Sequence, residues 1–169
     1  MKIHFTIIEL LVVIAVIAIM AGLLFPLLGK MKEKGRKASC IGQLRQIGIA
    51  VNAYAGNNDD RLPVCIRIGD GPDDPFSITK MLEVSSKEIY HCPGDNDGRF
   101  DGKTYFSRYG TSYEWNTFMN GMKIPKTALT FQDITITSPV MNDAENFHGS
   151  FGKNYLYVDG RVLEKLEVK

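Results

Sequence analysis

From Leu10 to Gly29 the chain carries no charged or strongly polar side chain, and no other feature constrains its fold as much. Within that stretch, Leu10–Leu28 is a run of 19 residues. As an α-helix it extends about 28 Å at 1.5 Å per residue. A bilayer's hydrocarbon core is roughly 30 Å thick, so the run predicts one membrane-spanning helix. A cleaved signal peptide fits less well, because its apolar region is usually about 7–15 residues and ends at a small-residue cut site. Here the apolar character continues past Met20-Ala21-Gly22 into Leu23-Leu24-Phe25-Pro26-Leu27-Leu28. A core helix of a soluble protein fits no better, since residues 57–169 alone would have to enclose it.

Two residues are unusual for a plain anchor. Glu9 sits at the edge of the run, where an uncompensated carboxylate costs on the order of 2–3 kcal/mol, less near the interface. Its ordinary reading is an acid held near the headgroups; the sharper one is a carboxylate that meets a cation on a partner. Pro26 removes a backbone N–H and is expected to bend or locally melt the helix, helped by Gly22 and Gly29.

The rest of the chain is polar. The full chain of 169 residues suits one domain with its own core. Lys and Arg number 20 against 19 Asp and Glu, a formal charge of +1. That balance argues against a nucleic-acid binder working through bulk charge. Lys30, Lys32, Lys34, Arg36 and Lys37 follow the apolar run, with Glu33 the sole acid among them. They read as a solvated collar facing lipid headgroups.

Taken together, the stretch from His4 and Phe5 through Glu9 to Ala18 resembles the processing site of a type IV prepilin or type II secretion pseudopilin. The match rests on a short basic leader, a cut before Phe5, Glu9 at the fifth mature position and Pro26 at the twenty-second. The resemblance implies a leader over 1–4, a transmembrane helix over 5–28, an amphipathic extension over 29–56 and a globular head over 57–169. It implies that a membrane aspartyl peptidase removes the leader and methylates the new amine of Phe5. It also implies that Glu9 pairs with the N-terminal ammonium of a neighbouring subunit, since neither charge is stable alone in a filament core. Where the family usually has Gly before the cut, this chain has His4. The positive-inside rule, taken alone, puts the C-terminal side of the span in the cytoplasm. Prepilins run the other way, and the orientation expected here follows the resemblance.

Beyond the collar the pattern is amphipathic. Ala38, Ile41, Leu44, Ile47, Val51 and Tyr54 recur at three- and four-residue steps, and Arg36, Lys37 and Gln43 are expected to keep the opposite surface wet. Gly35, Gly42 and Gly48 each weaken a helix by roughly 1 kcal/mol relative to Ala, so packing on a downstream sheet must hold it. Gly56-Asn57-Asn58-Asp59-Asp60 ends it. A continuous helix from Phe5 to Ala55 extends about 77 Å. The expected fold is therefore α+β, a pilin-like lollipop whose long helix packs its outer half on a small antiparallel β-sheet head.

In the head, Pro75–Val84 reads as a short helix with Phe76, Ile78, Met81 and Leu82 as its apolar set. Strand-like runs follow at Thr104–Tyr109, Ser112–Phe118 and Ala128–Ile136. Tyr155–Val158 and Arg161–Leu163 around Asp159-Gly160 read as a hairpin with a two-residue turn. That register places Tyr157 beside Val162 and Leu156 beside Leu163.

The chain also resembles a narrower branch of the pilin-like proteins. Ser39-Cys40 with Gln43–Gly48 matches its post-membrane helix, and Cys92-Pro93-Gly94-Asp95 its mid-domain turn. His148 with Asp159-Gly160 is similar to its terminal His–nine residues–Asp-Gly signature, with ten residues between them here. Three cysteines allow three pairings. Because Cys40 and Cys92 lie in the matching motifs, the resemblance favours that disulfide, with Cys65–Cys92 as runner-up.

His91, Cys92, Cys65 and His148 supply zinc-ligand types, but no pair has the short spacing of a zinc motif. Asp95, Asp97 and Asp101 around Gly98 look like a calcium loop, and some pseudopilins hold calcium in their heads. The EF-hand spacing lacks its closing Glu, so acidic turn residues facing water are expected and no cofactor is assigned. No oxyanion loop, phosphate loop or paired carboxylates support an enzyme. The aromatics Tyr105, Phe106, Tyr109, Tyr113, Trp115, Tyr155 and Tyr157 are expected in the core.

The function expected is a structural subunit of a pilus-like or pseudopilus-like filament, held in the inner membrane with its head in the periplasm or at the cell surface. Its partners are other pilin or pseudopilin subunits, the prepilin peptidase and inner-membrane lipid, and not nucleic acid. The alternative is a membrane-tethered module whose head captures a polysaccharide or secreted protein without polymerising.

Overall fold

A computed structural model describes residues 7–82, 84–96, 98, 100–124, 128–131 and 134–166. Three α-helices occur among them: α1 (Ile7–Gly56), α2 (Ile78–Met81) and α3 (Tyr105–Tyr109). Six strands accompany these: β1 (Tyr113–Trp115), β2 (Ala128–Phe131), β3 (Ile134–Thr137), β4 (Met141–Asp143), β5 (Tyr155–Leu156) and β6 (Val162–Leu163). The chain divides into two compact units, Met1–Gly35 and Arg36–Lys169.

In the first unit α1 passes through Pro26 with its helical backbone unbroken. Apart from half-buried Ala21, the side chains described from Ile7 to Lys32 are exposed, Leu10, Ile14, Ile17, Leu24 and Leu28 among them. Apart from the one hydrogen bond that Pro26 cannot donate, helical geometry satisfies the interior backbone groups within the segment, which is what lets such a stretch enter lipid. It is long and apolar enough to span a membrane.

In the second unit the rest of α1 buries a stripe at Lys37, Cys40, Leu44, Ile47, Val51 and Ala55. The three- and four-residue steps hold, but the stripe starts at Lys37 and Cys40. Ala38, expected inside, is exposed, and Lys37, expected wet, is only 3% exposed. Cys40, Leu44, Ile47 and Val51 join Tyr113, Trp115, Met141 and Leu156 in one core. Gly48 is part of the fit: a Cβ there would lie 3.0 Å from a methyl of Leu156. Close approach to β5 thus offsets its poor helix propensity. The helix ends at Gly56, where Asp59 and Asp60 turn the chain with φ of +54° and +57°.

The main sheet has four antiparallel strands in the order β1-β4-β5-β6. Tyr113 pairs with Asp143, Trp115 with Met141, and Met141 with Leu156. β2 and β3 form a separate two-stranded sheet, Ala128 opposite Thr137. The single strand expected over Ala128–Ile136 is therefore a hairpin.

Other expectations fail for local reasons. Thr104–Tyr109 contains α3, not a strand. Thr104 caps it by accepting from Ser107 N at 3.1 Å, and Gly110 ends it at φ +78°. Those caps outweigh the strand preference of its aromatics. Helix α2 is shorter than Pro75–Val84, because Asp74 organises a turn before it: its carboxylate accepts from Asp70 N and Phe76 N, both at 2.9 Å. Phe76 is left 64% exposed. β1 stops at Trp115, where Asn116 caps a 3₁₀ turn over Thr117–Met119.

The last hairpin is one residue out of the expected register. Leu156 pairs with Val162 and Tyr155 with Leu163. Tyr157 O accepts from Gly160 N and Tyr157 N donates to Arg161 O, each at 2.9 Å. Its loop is the three residues Val158-Asp159-Gly160, with Gly160 left-handed at φ +82°. A turn closed by a left-handed glycine is the next favoured hairpin connection after the two-residue one.

Candidate functional site

The residues singled out by sequence fall into separate places. His4, Phe5 and Asp97 lie outside the described residues. Glu9 stands exposed in the first turns of α1, at the start of the apolar stretch. The acidic loop does not face water as a group. Asp95 is 2% exposed and its carboxylate is already engaged: Oδ1 accepts from Tyr105 N at 3.0 Å, and Oδ2 from Phe106 N at 2.8 Å and Ser112 Oγ at 2.7 Å. It anchors the first turn of α3, where a carboxylate meets the positive end of the peptide dipoles. Asp101 is exposed with φ +50°.

Chemistry concentrates instead around Cys40 and Cys92, which form a disulfide with Cα atoms 5.2 Å apart. The buried stripe of α1 delivers Cys40. The Cys92-Pro93-Gly94-Asp95 turn delivers Cys92 and closes with Asp95 N donating to Cys92 O at 2.8 Å. Ser112 fixes this turn by accepting from Cys92 N at 3.1 Å. Gly94 is required: a Cβ there would lie 2.8 Å from Phe147 O and 3.0 Å from His148 Cε1.

His148 packs on the bridge, its Nε2 3.4 Å from Cys92 Sγ and 3.7 Å from Asp143 Oδ2. Cys40, Cys92, Asp143 and His148 are all fully buried. Asp143 ends β4, and its Oδ2 accepts from Asn154 N at 2.7 Å and Asn154 Nδ2 at 3.0 Å. Its Oδ1 is buried with no hydrogen-bond partner among the described residues. Burial pushes the Asp143 carboxyl up to about 7, against the pull of the Asn154 hydrogen bonds and the charges of Lys153 and Lys37. Lys37 donates to Phe151 O and lies 3.4 Å from Glu164 Oε1.

Of the zinc-ligand types noted in the sequence, only Cys92 and His148 come together. Cys65 is a buried free thiol, pushed up to about 12 by burial. His91 stacks on Phe106 at 4.6 Å. Cys40 takes their place: its Sγ, Cys92 Sγ and a His148 ring nitrogen lie within 4.8 Å of one another. Sequence reading missed Asp143, Asn154 and Lys37. Lys37 alone left a signal, standing three residues before Cys40 on the same helical face. Tyr113, Trp115 and Tyr157 are core residues, whereas Tyr105, Phe106, Tyr109 and Tyr155 are half-buried.

The chain matches no protein-family model, no curated protein and no solved structure.

Proposed function

We propose that this chain is a structural subunit of a type IV pilus-like or type II secretion pseudopilus-like filament. One observation carries the reading: the exposed apolar stretch of α1 with Glu9 in its first turns. In this reading residues 5–28 cross the inner membrane, the head stands in the periplasm or at the cell surface, and the whole is a pilin-like lollipop. A prepilin peptidase cuts after His4 and methylates Phe5. Within the filament the apolar stretches pack side by side, each buried Leu or Ile contributing about 1.5–3 kcal/mol relative to exposure. The ammonium of one Phe5 meets Glu9 of the next subunit. Each charge offsets the desolvation of the other, and the pairing fixes the axial register.

The test is Glu9→Ala, followed by crosslinking between subunits in the membrane and in sheared surface fractions. Loss of crosslinked ladders with unchanged membrane insertion supports the filament. Unchanged ladders refute the role of Glu9. An absence of ladders in the unmodified chain, with its head still binding a polysaccharide or secreted protein, favours the tethered module instead.

A further inference from the structure

We propose that the reduced head holds one zinc ion between Cys40, Cys92, His148 and Asp143, in the place the disulfide takes when oxidised. Such a site does not depend on filament assembly. Tetrahedral zinc with Zn–S about 2.3 Å and Zn–N about 2.0 Å sets sulfur and nitrogen ligands about 3.5 Å apart. Cys92 Sγ and His148 Nε2 are already 3.4 Å apart. His148 Nε2 lies 3.7 Å from Asp143 Oδ2, which sets the Asp143 carboxylate beside the same imidazole nitrogen. The two sulfurs must part, from a covalent bond to about 3.8 Å, and the ligand atoms of Cys40, Cys92 and His148, now within 4.8 Å of one another, must settle to tetrahedral spacing.

Asp143 brings a buried carboxylate oxygen, Oδ1, with no hydrogen-bond partner among the described residues, while Asn154 holds its other oxygen. That is the outer support that orients a ligating carboxylate. Charge also closes. Two thiolates and a carboxylate leave one negative charge on a bound Zn²⁺, and the ammonium of buried Lys37 acts on Asp143 from nearby. All four ligands are sealed from solvent, as in a structural site with no open position.

The chemistry balances. A dithiol reductant gives two electrons and two protons to the bridge and becomes a cyclic disulfide. Zn²⁺ then displaces the two thiol protons, together with the carboxyl proton that Asp143 holds, and is bound by the two thiolates and the carboxylate. Reoxidation by a disulfide oxidant, which takes up two electrons and two protons and leaves as thiols, reforms the S–S bond and releases the ion. The two states exclude each other, so the metal occupies the head only where the bridge is open.

The experiment uses the full chain in detergent, reduced with a dithiol, freed of reductant under anaerobic conditions and titrated with Co²⁺ alone. Expected is one equivalent bound, with a thiolate-to-cobalt charge-transfer band and tetrahedral visible bands that Zn²⁺ abolishes. Cys65→Ala should keep these bands; Cys40→Ser, His148→Ala and reoxidation should remove them. Because His148→Ala can unfold the head, zinc-edge X-ray absorption of the unmutated reduced chain provides a second readout. It should show two sulfurs with one imidazole nitrogen. A reduced chain without the charge-transfer band, a band that depends on Cys65, or a zinc shell lacking imidazole overturns the proposal.

Discussion

Tyr113 donates its hydroxyl proton to Gln43 Oε1 at 3.0 Å, and through this bond a helical residue expected to face water is tied into the core. Gln43 Nε2 in turn donates to His91 O at 2.9 Å and Glu88 O at 3.2 Å. One side chain therefore links α1 to β1 and to the segment that leads into Cys92. Gln43→Ala strands the hydroxyl of fully buried Tyr113. The expected loss is about 1–3 kcal/mol of head stability, measured by urea denaturation. Tyr113→Phe in the same background should recover part of it.

The Cys40–Cys92 bridge spans a sequence separation of 52. In the chain-entropy account a loop of that length is worth about 4 kcal/mol. Cys92→Ser should lower head stability by about that amount in metal-free, oxidising buffer. The urea midpoint should move down and the slope should rise, because the unfolded chain without the bridge is less compact and exposes more surface.

Asp143 makes the metal-free, oxidised head more stable in mild acid than at neutral pH. Burial lifts its carboxyl from 3.8 to about 7 despite Asn154, Lys153 and Lys37. The folded state therefore holds a proton that the unfolded chain releases. This contribution is complete below pH about 4 and is lost as pH rises through about 7, on the order of a few kcal/mol in all. Asp143→Asn should flatten the stability curve across that window. A wild-type curve that climbs between pH 4 and 7, with no difference from Asp143→Asn, contradicts this.

Cys65 should not react in the folded protein. It is buried, and its thiol is pushed up to about 12. At pH 8 the thiolate, which is the nucleophile, is about one part in ten thousand. Iodoacetamide should leave the native oxidised chain unlabelled and add one group after unfolding. Native labelling at the rate of an exposed thiol would contradict the buried position.

What the sequence made legible follows the range of the forces involved. The apolar run and the three- and four-residue steps of α1 are local patterns, and Leu44, Ile47 and Val51 fall inside as expected. The stripe's edge was not legible, because Lys37 enters the core by donating to Phe151 O, 114 positions away. In the head the elements are two to five residues long, too short for periodicity to speak. There, single hydrogen bonds decide, such as Thr104 capping α3 or Gly160 lengthening the last turn. Asp95 read as a water-facing acid because nothing nearby in sequence announces that Tyr105 and Phe106 will donate to it. The site around His148 draws Cys40, Cys92, Asp143 and Asn154 from α1, a turn, a strand end and a loop. No spacing rule reaches across those distances.

The N-terminus of the mature chain tests the filament reading most directly. Mass spectrometry of protein taken from the membrane of its own host, or one with a prepilin peptidase, is expected to find a chain that starts at N-methylated Phe5. A chain that still begins at Met1 in such a host contradicts it.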